Sequence, residues 1–237
     1  MEYVWQALAW IPEHLYGSDG VIERVYQHLL YTLLSVVIAA VIAIPLGIYI
    51  GHTGRMRFVA TSVTGAMRAL PTLGLVALFG LYLGAGLAAP IAAVSLLAIP
   101  PLLAGAYAGV ESIEKQTITA ARAQGMTAWQ IVRGVEIPLA LPLLWGGLRS
   151  AVLQVIATVT VAAYLPLGGL GRFIFDGLPV RNYPEMLAGS ILVIVLALVC
   201  DGILVVAYAL FQPQGVAVAL ANDSRKRRRN DRKVAVG

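Results

Sequence analysis

Residues 112–142 read SIEKQTITAARAQGMTAWQIVRGVEIPLALP, the longest mixed polar segment between apolar blocks in this 237-residue chain. Ala and long polar side chains over 116–124 favour a helix. Gly125 stops it, because glycine takes the left-handed cap conformation without a Cβ penalty. Thr127, with Gln130 three residues later, predicts a reciprocal capping box for a second helix, and Met126 and Ile131 flank that cap at the spacing of a hydrophobic staple. Pro138 is expected to end the short helix or bend it into the next segment. The local chemistry predicts two short helices joined at a glycine elbow between two membrane spans, the form of a docking device.

Composition bounds the class. Apolar residues make up 59% of the chain and charged ones 12%, against roughly 25% charged in soluble domains. An all-α polytopic membrane protein is expected. The lone cysteine, Cys200, lies in an apolar run and offers neither a disulfide framework nor a metal site. The formal charge of +5 resides wholly in residues 213–237, where seven Lys/Arg face Asp223 and Asp231. A basic tail beside a membrane attracts anionic lipid, at about 1 kcal/mol per basic residue near the surface; nucleic acid is not implied.

Taken in order, residues 1–28 carry four acids, Arg24 and several aromatics. They read as an external amphipathic segment anchored at the headgroups. Residues 29–50 form a charge-free stretch that can span a hydrocarbon core of roughly 30 Å. Residues 58–84 contain Arg68 and Pro71 and are read as one kinked or broken span, since each half alone would reach only about 20 Å. Spans three to five cover 88–110, with Pro100-Pro101 as a second expected kink, 139–165 and 184–211, so that residues 29–212 form the transmembrane domain. With the tail inside, twelve basic residues fall on the inner side and three outside, which the positive-inside rule favours. The loop at 112–138 then faces the cytoplasm, with the N-terminus outside. Glycine pairs at four-residue spacing (Gly47/Gly51, Gly80/Gly84, Gly105/Gly109) allow close helix approach, within one subunit or at a dimer seam.

Enzymatic machinery is not found. The sequence has no GxxxxGK[ST] phosphate loop, and His14, His28 and His52 lack metal-ligand spacing. Catalytic residues, bound cofactor and metal are expected to be absent. Three ionisable residues, Arg68, Arg149 and Asp201, lie deep in spans, where each is costly unless satisfied. A buried pair, Arg149–Asp201 or Arg68–Asp201, is the expectation, with a gate on the translocation path as the alternative. Between spans four and five, Gly168, Gly169 and Gly171 predict an external turn or re-entrant segment.

Thr119-Ala120-Ala121, Gly125 and, nine residues on, Val135-Glu136-Ile137-Pro138 resemble the EAA motif of membrane subunits of type I ABC importers. The family's leading Glu is Thr119 here. Further stretches are similar to the osmoprotectant branch of that family: His28-Leu29 through Ile44-Pro45-Leu46-Gly47-Ile48, Arg68 through Leu73, and VEIPLALP at 135–142. The Gly168–Gly171 turn resembles one shared by osmoprotectant and methionine permeases. The resemblance implies a permease for glycine betaine, choline, carnitine or proline betaine in the inner membrane of a prokaryote. It implies a cytoplasmic ABC ATPase that holds the ATP and Mg, a second permease subunit of the same or a related chain, and an extracytoplasmic binding protein. Ala120, Ala121, Gly125, Met126, Ala128, Trp129 and Pro138 would couple to the ATPase, and the Gly-rich turn would lie near the outer gate. A methionine permease is the alternative. An ATP-independent transporter would usually show inverted repeats, and neither it nor a channel needs the elbow.

Overall fold

The computed structural model describes residues 2–84, 86–165 and 168–211, and of Val59, Arg68 and Phe211 the backbone only. Residues 213–237, read as a basic tail, lie outside the described residues. All regular structure among the described residues is helical. In chain order the helices are α1 (Glu2–Glu13), α2 (Val21–Thr53), α3 (Arg57–Arg68), α4 (Thr72–Leu83), α5 (Ala88–Glu111), α6 (Lys115–Ala123), α7 (Ala128–Ile131), a π turn (Val132–Glu136), α8 (Ile137–Ala162), α9 (Gly171–Val180) and α10 (Tyr183–Phe211).

Four helical stretches are long and apolar enough to cross a membrane, and a bent pair makes five. The bent pair is span two: Ala60–Met67 and Thr72–Leu83 meet at 91°. Proline is the cause. Pro71 caps α4 in extended geometry, and the residue before a proline is steered away from the helical region.

The core is a three-helix sheaf with α5 between α2 and α8. Small residues bring the backbones together. A Cβ on Gly47 would sit 2.7 Å from the Ala106 Cβ, and one on Gly105 would sit 2.7 Å from the Gly147 Cα. The pairs Gly47/Gly51 and Gly105/Gly109 therefore pack inside the chain. Around them Ala39, Ala43, Ala98 and Ala151 are fully buried, with Leu102 and Val155 filling the gaps. Gln154 Nε2 donates to the Leu97 carbonyl at 2.9 Å, tying α8 to α5 through the apolar interior. A second cluster, Val21, Ile156, Leu170, Phe173 and Leu196, with Trp10 against it, joins the start of α2 to α8, α9 and α10.

Three expectations need correction. The first span begins at Val21, not residue 29, in a helix of 33 residues that measures about 50 Å. Its first turns carry charge that is satisfied locally: Gln27 donates to Glu23 at 3.0 Å, and Arg24 pairs with Asp19 at 2.5 Å. The segment 1–28 is thus not one unit, since α1 docks on α10 and Trp10 meets Phe173 edge to face. The second correction is at Pro138, which does not end α7. Residues Ala128–Ala162 are one helical stretch, because the π turn absorbs the ring that would collide with a carbonyl one turn back. Ile137 N–H bonds the Val132 carbonyl, five residues away. Thirdly, Gly171 is not in a turn: it opens α9 and lies so close to α8 that a Cβ would meet the Thr160 carbonyl.

Candidate functional site

The elbow at 112–138 forms by local chemistry. The end of α6 closes through two bonds, Gly125 N–H to the Arg122 carbonyl at 2.9 Å and Met126 N–H to the Ala121 carbonyl at 3.3 Å. That pair is the Schellman arrangement, which needs a left-handed residue at the corner. Gly125 supplies it at φ +80°, with open space around it. The predicted capping box is present: Gln130 N–H donates to Thr127 Oγ1 at 3.4 Å, and Thr127 N–H to Gln130 Oε1 at 2.7 Å.

Seen from outside, the elbow offers small residues and one large one. Ala120, Gly125 and Ala128 are exposed, Met126 and Pro138 are half-buried, and Ala121 faces inward. Trp129 is 65% exposed, and the Arg133 guanidinium lies over its ring at 5.4 Å. A naked indole on a surface of small side chains is a knob for another protein's socket, since tryptophan dominates interface energetics. Ile131, in contrast, is buried and roots α7 against the bundle.

Behind the elbow lies a feature that sequence reasoning missed. Glu136, the last residue of the π turn, is buried, and both its carboxylate oxygens lie 2.8 and 2.9 Å from the Nδ1 of His52 in the last turn of α2. Nearby, Arg57 pairs with Glu111 at 2.5 Å. These residues line a cleft of about 460 Å³ together with Lys115 and Arg122 of α6. The available signal was a carboxylate set among apolar residues next to a proline, which requires a partner.

The Gly-rich turn sits at the opposite end of α2. Gln27 Oε1 accepts from Gly169 N–H at 2.9 Å, and a side chain on Gly168 would displace that amide. Fully buried His28 accepts from Leu170 N–H at Nδ1 (3.3 Å), which places its proton on Nε2, 3.0 Å from the Ile156 carbonyl. One neutral imidazole thereby ties α2, α8 and the turn leading into α9. None of the three histidines is aligned toward a shared ligand: His14 stacks on Trp10, and the other two are engaged as described.

Of the intramembrane ionisable residues, Arg149 and Asp201 form a two-pronged pair, Nε to Oδ1 and Nη2 to Oδ2, the latter at 2.6 Å. The expected pairing is present, but not its burial: the side chains are 45% and 22% exposed on the α8–α10 surface. The reason is that α10 covers α8 through Trp145, whose indole donates to the Leu204 carbonyl, and leaves its flank open. Whether Arg68 joins this pair lies outside the described residues.

Residues 43–214 match the family model for the inner membrane component of binding-protein-dependent transport systems. The chain belongs to that family. Curated relatives of this permease cover most of both chains. The carnitine transport permease protein OpuCB of Listeria monocytogenes is 33% identical over 78% of this chain and 85% of its own. The osmoprotectant import permease protein OsmW of Salmonella typhimurium is 34% identical over 81% and 91%. The choline transport system permease protein OpuBB of Bacillus subtilis is 30% identical over 87% and 95%. Among solved structures, an inward-facing MetNI methionine ABC transporter chain superposes with a TM-score of 0.66 at 23% identity, over 78% of this chain and 94% of that one. The architecture is therefore that of a multi-pass ABC importer permease.

Proposed function

We propose that this permease imports a quaternary-ammonium osmoprotectant of the glycine betaine, choline or carnitine type by alternating access, driven by a separate ABC ATPase that docks on α6–α7. The single observation that carries the ATPase reading is the exposed elbow, with Gly125 left-handed at its corner and Trp129 projecting beyond it. The substrate class rests on the relatives, named for carnitine, osmoprotectant and choline transport. Alternating access requires the driving ligand to bind one state better than the other, and ATP closing two ATPase subunits would act so, by drawing together the elbows of two paired permeases. ATP and Mg belong to the ATPase. A binding protein would deliver solute at the end carrying the Gly168–Leu170 turn, the outer side if the charge asymmetry sets the orientation.

Two experiments test this. A pull-down on the solubilised permease is expected to retain a soluble ATPase and to lose it when α7 is altered at Trp129→Ala. Uptake of labelled glycine betaine, with and without the permease, is expected to depend on it and to be largest at high osmolarity. The methionine transporter shares the fold at low identity, so labelled methionine is the comparison solute. Loss of methionine uptake alone would overturn the substrate and keep the docking reading.

A further inference from the structure

A load applied to α7 reaches the spans by two routes. The first is covalent, because Ala128–Ala162 is one helical stretch. It contains a weak point: the π turn Val132–Glu136 has wider rings than an α-helix and is an irregularity where a helix can yield. The second route is the contact between Glu136 and His52. Glu136 closes the π turn on its α8 side, its side chain is 4% exposed, and both carboxylate oxygens are within 2.9 Å of one imidazole nitrogen. His52 stands on the last turn of α2, whose body is packed along α5 by Gly47 and Gly51. Its Nδ1 donates to the carboxylate, so the end of the π turn is pinned to the most firmly packed helix in the bundle. Arg57–Glu111, the neighbouring pair, lies at 64% and 38% exposure and joins α3 to α5 without touching the π turn.

We infer that His52 is a positioning residue for energy coupling, clamping Glu136 so that displacement of α7 moves α8 and α2 together instead of being taken up in the π turn. The inference rests on the reading of α6–α7 as the ATPase dock. It assigns no contact between His52 and solute or nucleotide. It explains why a carboxylate is kept in an otherwise apolar junction, where an apolar side chain would pack without a partner.

The test uses the whole complex of permease, ATPase and binding protein in proteoliposomes, with labelled glycine betaine as the solute. The readout is uptake per ATP hydrolysed, which a merely structural contact would not change once assembly is intact. His52→Ala is expected to retain the ATPase at wild-type stoichiometry and to keep hydrolysing ATP, while uptake per ATP falls about tenfold, within the usual range of coupling between sites. His52→Asn places an amide N–H near the position of Nδ1–H and is expected to restore most of the ratio. An unchanged ratio in His52→Ala overturns the clamp. So does a ratio in His52→Asn as low as in His52→Ala, since the donor would then be irrelevant. Loss of ATPase capture by His52→Ala also overturns it, by reducing the pair to a folding contact. Failure of the wild-type permease to capture an ATPase refutes the docking reading itself and is distinguishable from the other three.

Discussion

Substitution of Gly125 separates backbone conformation from every other property of the elbow. The corner sits at φ +80°, and a Cβ there would meet nothing within 4 Å. A side chain therefore causes no clash with the bundle, and its whole effect is conformational. For a non-glycine residue the left-handed region costs about 1–2 kcal/mol, with asparagine at the low end and β-branched residues above it. The alternative is to leave the left-handed region and lose the bonds from Gly125 N–H to Arg122 and from Met126 N–H to Ala121, at about 1 kcal/mol each. The two routes cost about the same, so a β-branched residue straightens or unwinds the corner and re-aims Trp129. A cost near 1.4 kcal/mol is a tenfold change in an equilibrium. The native elbow should thus be depleted several-fold in Gly125→Ala, less in Gly125→Asn and most in Gly125→Val. Uptake per ATP hydrolysed is expected to follow the order Gly, Asn, Ala, Val, while thermal midpoints in detergent barely move. Equal coupling in Gly125→Val and wild type would refute the conformational argument, and so would Asn performing worse than Val.

Other consequences arise from the packing. Gly105→Ala drives a Cβ to 2.7 Å from the Gly147 Cα on α8 and is expected to cost about 1–3 kcal/mol as overpacking, seen as a lower thermal midpoint. Gly202→Ala on α10, with open space at that position, should be neutral or stabilising by up to about 1 kcal/mol; a drop as large as that of Gly105→Ala would show that a surface covered in the assembly had been touched. His28→Phe strands the Leu170 amide and the Ile156 carbonyl, at about 1–3 kcal/mol for each buried unsatisfied group. The expected result is a lower midpoint and a loosened Gly168–Leu170 turn, read by faster proteolysis there. Asp201→Asn removes the counter-charge of Arg149 in the span, and less folded protein should reach the membrane, with recovery in Asp201→Asn combined with Arg149→Gln. Normal assembly with lost transport would instead place the pair on the solute's path.

Features set by near neighbours were legible in the sequence. The Schellman corner at Gly125 and the box from Thr127 to Gln130 each close within five residues, so residue type and spacing sufficed. The apolar blocks located the spans, and Pro71 marked the broken one. The start of α2 was hidden because hydropathy scores Glu23, Arg24 and Gln27 as polar, whereas in the helix they pair with each other and with Asp19. The π turn was hidden because a proline normally signals an end, and only the positions of Ile137 and Val132 show how the helix passes it. The His52–Glu136 contact spans 84 residues, and no local pattern encodes such a meeting. Likewise, the spacing of Gly47 and Gly51 permits a close crossing without naming the helix crossed. Arg149 and Asp201 were paired correctly because charge inside a span leaves few choices, but their exposure depends on how α10 drapes over α8.

The π turn also sets the phase between docking face and bundle. Removing one residue from Val132–Glu136 would let the stretch wind as a plain α-helix, but it would rotate everything before it by about 100° relative to α8. Trp129 would then face a different compass point while both helices kept their sequence and their packing partners. A single-residue insertion or deletion here is thus a dial between permeases, able to turn the grip of one motor to suit another without redesigning either the elbow or the spans.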